Sequence, residues 1–87
     1  MNTRKVGFAH IPITQDAHKA FDCNELTFVN TGTVNVTIAN VLVLTPGQAV
    51  TYPCFHPEDL NCTIYDIVFP RPYANGQLVV AICKNYM

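Results

Sequence analysis

The sequence predicts an all-β fold, a small antiparallel β-sandwich or barrel of about six to eight short strands with little or no helix. Three observations carry that prediction. Alternating apolar and polar stretches rich in Val, Ile and Thr recur along the chain. Turn residues interrupt them at intervals of roughly 8–12 residues. No segment carries a clear apolar face at the 3.6-residue spacing of a long helix. The chain has 87 residues, the size of a single domain.

The elements follow in order. Lys5 to Ile13 reads as a strand that Pro12 confines to an edge or an end, because proline lacks the N–H a central ladder needs. Thr14 to Asn24, TQDAHKAFDCN, is polar and reads as a loop or one short helical turn over Ala17 to Phe21. Leu26 to Tyr52 contains no charged residue and reads as an antiparallel meander. Leu26 and Phe28 share one face of its first strand. Asn30-Thr31-Gly32-Thr33 is a turn in which Gly32 can supply a positive φ. Val34, Val36 and Ile38 point inward, and Thr33, Asn35 and Thr37 outward. Asn40 marks a reversal.

Val41 to Leu44 is apolar on both faces, which suits a central strand or one covered by another subunit. Thr45-Pro46-Gly47-Gln48 has the residues of a type II turn. Ala49 to Tyr52 forms a short strand, and Pro53 to Asp59 an irregular loop. Asn61 to Phe69 is a strand with Tyr65, Ile67 and Phe69 on one face. Asp66 falls on the other face, as expected near a sheet edge. The two prolines of Pro70-Arg71-Pro72-Tyr73 exclude a central strand, and Asn75-Gly76 is a strong hairpin dipeptide. Gln77 to Cys83 is apolar on both faces, the pattern of a strand central in a sandwich or buried at a subunit contact.

Composition narrows the function. Hydrophobic residues make up 49% of the chain and charged residues only 13%. A small domain exposes a large share of its surface, so so few charges point to a surface covered by partners. Net charge is −1. Arg4, Lys5, Lys19, Arg71 and Lys84 are scattered, which leaves no phosphate-binding stripe and argues against nucleic acid as a partner. No apolar run is long enough for a membrane-spanning helix. The start is a poor signal peptide, so the chain reads as a complete polypeptide made in the cytoplasm.

Chemistry is sparse. In a reducing compartment Cys23, Cys54, Cys62 and Cys83 are expected as free thiols rather than disulfides. Cys54, His56 and Cys62 lie close together but lack the paired spacing of a zinc knuckle, so no metal or other cofactor is implied. Glu58-Asp59 reads as solvated loop charge, since catalytic carboxylates face each other across a cleft. No nucleophile elbow, phosphate loop or dinucleotide fingerprint is present. A sandwich this small also leaves little room for a pocket of several hundred cubic ångströms. These features argue against an enzyme. The remaining recognition candidates are Tyr52, Phe55, His56 and Tyr73, in or beside proline-containing loops, where a rigid aromatic can grip a partner or a sugar.

Phe28 to Gln48, FVNTGTVNVTIANVLVLTPGQ, resembles short β-modules of bacteriophage virions. In these an F-x-N-x-G turn leads to a V-x-I strand, a reversal and L-x-P-G-Q. The resemblance covers about a quarter of the chain and implies a capsid, penton, spike-base or decoration protein. Its partners would be itself or other capsid proteins and its location the virion, most simply as a homo-oligomer. The candidate contacts are Val41–Leu44, Leu78–Cys83 and the N-terminal strand. The alternative is a small binding module, carbohydrate-binding for instance, that uses the loop aromatics.

Overall fold

The alternating stretches become eight strands in a computed structural model that describes residues 5–53, 56 and 58–86. They are β1 (Val6–Ile13), β2 (Ala17–Ala20), β3 (Glu25–Asn30), β4 (Val36–Ile38), β5 (Leu42–Leu44), β6 (Ala49–Tyr52), β7 (Ile64–Val68) and β8 (Val79–Tyr86). No helix occurs among the described residues. The strands form two four-stranded sheets, ordered β1-β8-β3-β6 and β2-β7-β4-β5, with every pair antiparallel. That order is the eight-stranded jelly roll, in which two Greek keys wrap into facing sheets.

The two sheets share one core. Phe28, Leu26, Val79 and Ala81 come from the first sheet, and Val36, Ile38, Tyr65 and Ile67 from the second. Phe28 is fully buried and is the centre of this contact. Its ring meets those of Phe21, Tyr52 and Tyr65 edge-on, with centroids 5.6, 6.2 and 5.4 Å away. Burying such a side chain stabilises the fold by about 2–3 kcal/mol relative to leaving it in water.

Jelly-roll connections cross from sheet to sheet, and this overturns the meander. Only β4 and β5 form a hairpin within Leu26–Tyr52; β3 instead pairs with β6 across the intervening hairpin. Alternation shows which side of a strand is buried. It does not show which sheet the strand joins, because both sheets bury a face in the same core. For the same reason Asn75-Gly76 makes no hairpin. Gly76 takes a positive φ of 82° in a turn, but the strands on either side of it lie in different sheets.

Four further expectations are corrected. The segment read as a loop or helical turn contains β2, which pairs with β7 and packs Ala17 on the core. Here pairing overrides weak local preference. Asp66 lies on β7, an interior strand, where its outward side chain is satisfied by neighbours rather than by an edge. Val41–Leu44 is not central, since β5 is the edge of its sheet and Val41 and Val43 are 84% and 51% exposed. Gly32 does not use a positive φ. It is needed for close approach, because a Cβ there would lie 2.5 Å from both the Gly76 carbonyl oxygen and the Leu78 nitrogen.

Other elements stand as read. β1 is an edge strand with Pro12 near its end, and β8 is central between β1 and β3. Gly47 has φ 90°, and the Gln48 N–H donates to the Thr45 carbonyl at 3.0 Å, as a type II turn requires. The reversal near Asn40 uses two left-handed residues, Ala39 and Asn40.

Candidate interaction surface

Strand alternation puts every second residue of each sheet on an outer face, and those faces are poor in charge. On the β1-β8-β3-β6 sheet the register aligns His10, Ile82, Thr27 and Thr51 in one cross-strand row. Pro12, Val80, Val29 and Ala49 form the next. Phe8, 60% exposed, begins a third row with Lys84 and Glu25. On the β2-β7-β4-β5 sheet Thr37 is flanked by Val43 and Val68. Ile64 and Val41 extend that apolar surface, and both are exposed.

The second face carries one polar cluster. His18 Nδ1 hydrogen-bonds the Asp66 carboxylate across the β2–β7 pair, and Asn40 donates to the other carboxylate oxygen at 3.0 Å. These bonds, His18 first, hold the Asp66 carboxyl below its ordinary range. An oriented imidazole is a component of nucleophile triads. This one stands on an open face, with the His18 side chain 70% exposed. Sequence reading missed the cluster because 48 positions separate His18 from Asp66 and no local spacing announces a cross-strand pair.

The connections cluster at two ends of the sandwich. At the first end the Asp16 N–H donates to the Tyr73 hydroxyl at 3.3 Å, and Asp16 accepts from the Phe69 N–H at 2.9 Å and from Arg71 at 2.7 Å. Arg71 also lies over the Tyr73 ring. Gln77 donates to the Thr14 carbonyl at 2.6 Å, and the Thr33 N–H to that of Gly76 at 3.1 Å. At the other end the Asn61 N–H donates to the Cys23 carbonyl at 2.8 Å, and Asn61 Nδ2 to the Tyr65 hydroxyl at 2.8 Å.

This arrangement separates the predicted aromatic site. Tyr52 closes β6 opposite Leu26, at the Cys23 end, and is half-buried against Phe28 and Tyr65. Burial pushes its hydroxyl pKa upward. Tyr73 belongs to the Asp16 end and is engaged there. His56 is exposed. Phe55 lies outside the described residues, as does Cys54. Tyr52 and Tyr73 therefore cannot line one pocket. A groove of about 340 Å³ does open beneath the edges of β5 and β6, lined by Leu42, Val43, Leu44, Gln48, Ala49 and Val50. Its lining holds no titratable side chain.

Comparison with protein-family models, with curated proteins and with solved structures found no match. Among the described residues, no group of three or more His, Cys, Asp or Glu side chains could hold a metal ion. No helix there is long and apolar enough to cross a membrane.

The Asp16 clamp predicts an acid limb of stability. The Phe69 N–H, with Arg71 and Tyr73 adding to it, holds the Asp16 carboxyl below its ordinary value despite an opposing effect of burial. The unfolded chain then binds more protons than the folded one as pH falls. This contribution is complete above the ordinary aspartate range and is lost as pH falls through the depressed folded value. The melting temperature should drop below about pH 4, and Asp16→Asn should flatten part of that drop. A D16N profile that runs parallel to wild type would rule the clamp out.

Proposed function

We propose that this chain is a non-enzymatic structural protein of a virus particle, a capsid, penton, spike-base or decoration component that acts through protein–protein contacts. The observation that carries the reading is the pair of charge-poor outer faces. A globular domain that lives alone keeps charge on its outer surfaces. Here the Val43–Thr37–Val68 row and the Pro12–Val80–Val29–Ala49 row offer apolar and hydroxyl groups. On the second face the one carboxylate already has partners, since His18 and Asn40 satisfy Asp66. A partner could cover that face without stranding an unpaired charge, the usual penalty of burying ions. Jelly rolls build both viral capsid and lectin domains, so the topology supports this reading without deciding it.

The alternative is a small binding module, carbohydrate-binding for instance, that uses loop aromatics; Tyr52 and Tyr73 lie at opposite ends of the sandwich and would serve separate contacts.

Light scattering behind a sizing column tests the proposal. The wild-type chain should elute as a discrete oligomer, a trimer or pentamer for instance, because closed rings suit the axes of a shell. The double variant Val43→Lys, Val68→Lys should shift it toward monomer while its melting temperature changes little, since exposed substitutions usually cost within about 0.5 kcal/mol. A wild-type chain that remains monomeric at every attainable concentration would end the self-assembly reading.

A further inference from the structure

The edges of the two sheets differ in chemistry. β1 and β6 bound the first sheet, and β2 and β5 the second. An open edge invites another strand, and proteins that stay apart guard it with lysine or other charge. β2, AHKA, carries Lys19. β1, VGFAHIPI, and β6, AVTY, carry no lysine, arginine or carboxylate. Pro12 blunts only the far end of β1, and Val6 and Phe8 near its start are 38% and 60% exposed. The groove against the β6 edge offers Leu42, Val43, Ala49 and Val50.

We propose that copies of this chain join head to tail, the β1 edge of one adding antiparallel to the β6 edge of the next. Direction permits it. β1, β8, β3 and β6 alternate in direction, so β1 of a second copy set beside β6 in the same orientation continues the alternation. Charge then matches. Lys5, directly before β1, is exposed, and its neighbour Val6 pairs with Tyr86. The Tyr86 N–H donates to the Asn24 side chain at 2.7 Å, and Asn24 Nδ2 donates to the Asp59 carbonyl at 2.6 Å. Lys5 and the exposed Glu58-Asp59 pair therefore lie at the same end of the sheet. Lys5 leads into one edge strand, and the acids sit in the connection that leaves the other. Among the described residues none of the three forms an ion pair. Docking brings Lys5 of one copy to Glu58 and Asp59 of the next. Continuing the cross-strand rows also sets Phe8 beside Pro53, the exposed residue after Tyr52.

This inference rests on the self-assembly proposed above and names its contact. Opposite edges of one sheet make a heterologous joint, which closes into a ring when the rotation between copies divides the circle. Two β1 edges pairing antiparallel would instead carry Lys5 to the Ile13 end, where Asp16 is already held by Arg71. Main-chain hydrogen bonds supply the edge contact, and the charge pair selects which edges meet.

The test is a charge exchange on the whole chain at low salt, read by light scattering behind a sizing column. Lys5→Glu should raise the dissociation constant about tenfold or more, because like charges then meet. The double variant Glu58→Lys, Asp59→Lys should do the same. The triple variant carrying all three changes should regain the wild-type mass. These positions are exposed, so melting temperatures measured below the assembling concentration should change little. On assembly the amides of residues 6–11 and of Ala49–Tyr52 should gain hydrogen-exchange protection together. An oligomer whose mass neither charge change alters, or that the triple variant fails to restore, would overturn the edge contact but not assembly through the outer faces. So would a dimer protected at β1 and not at β6. A wild-type chain that stays monomeric would overturn both.

Discussion

Replacing Asn30 with leucine should destabilise the fold by about 3 kcal/mol, although the two side chains are similar in size. Asn30 ends β3 with no exposed surface. Its amide nitrogen donates to the Val34 and Leu44 carbonyls, each at 2.8 Å, and its amide oxygen accepts from the Gly32 N–H at 3.0 Å. Its backbone adds two more bonds, from its own N–H to Gln48 O at 2.9 Å and from the Gly47 N–H to its carbonyl at 2.8 Å. One residue thus ties the β3–β4 connection and the β5–β6 turn to the first sheet. Leucine would leave two carbonyls and one N–H without partners in or near the core, at about 1 kcal/mol or more each. Its added apolar surface returns part of that loss. For a domain of this size the melting temperature should fall by about 15 °C. A loss below about 1 kcal/mol would show that water or backbone movement satisfies these groups.

Asn30 shows where sequence reading stops. It was legible as a turn residue, because Asn-Thr-Gly-Thr between two apolar runs is turn chemistry. Its burial was not legible, because its partners Val34 and Leu44 are brought to it by a sheet crossing that no local pattern encodes. The same division holds elsewhere. The inward faces of β3, β4 and β7 followed from alternation, because period two depends only on the strand itself. β2 was missed, since four residues with one lysine and one histidine gain their strand geometry from pairing with β7. The aromatic candidates show the same limit. Tyr52 and Tyr73 looked equivalent as neighbours of proline, yet the jelly roll sends their connections to opposite ends. What survived was the bulk property, a shortage of charge, because it needs no topology to be read.

The exchange Gly32→Ala should cost about 3 kcal/mol, the upper part of the range for overpacked sites. The new Cβ would meet the Gly76 oxygen and Leu78 nitrogen at 2.5 Å and the Leu78 oxygen at 3.0 Å. All three are backbone atoms, which cannot rotate away as a side chain would. Relief requires the β3–β4 and β7–β8 connections to separate, and that strains the bond from the Thr33 N–H to the Gly76 carbonyl. Gly47→Ala is the control. Gly47 has the strained φ of 90° but nothing within 4 Å of an added Cβ, so its cost is conformational alone, about 1–2 kcal/mol. Urea unfolding should therefore rank Gly32→Ala as the more damaging change, and native-state hydrogen exchange should find the Thr33 amide deprotected in that variant only. Because the Gly32 N–H also donates to Asn30, the Asn30→Leu, Gly32→Ala double variant should lose less than the sum of the two single losses. A larger cost at Gly47, or strict additivity with Asn30, would mean that the two connections move independently and that the close approach at Gly32 does not bind this end of the sandwich together.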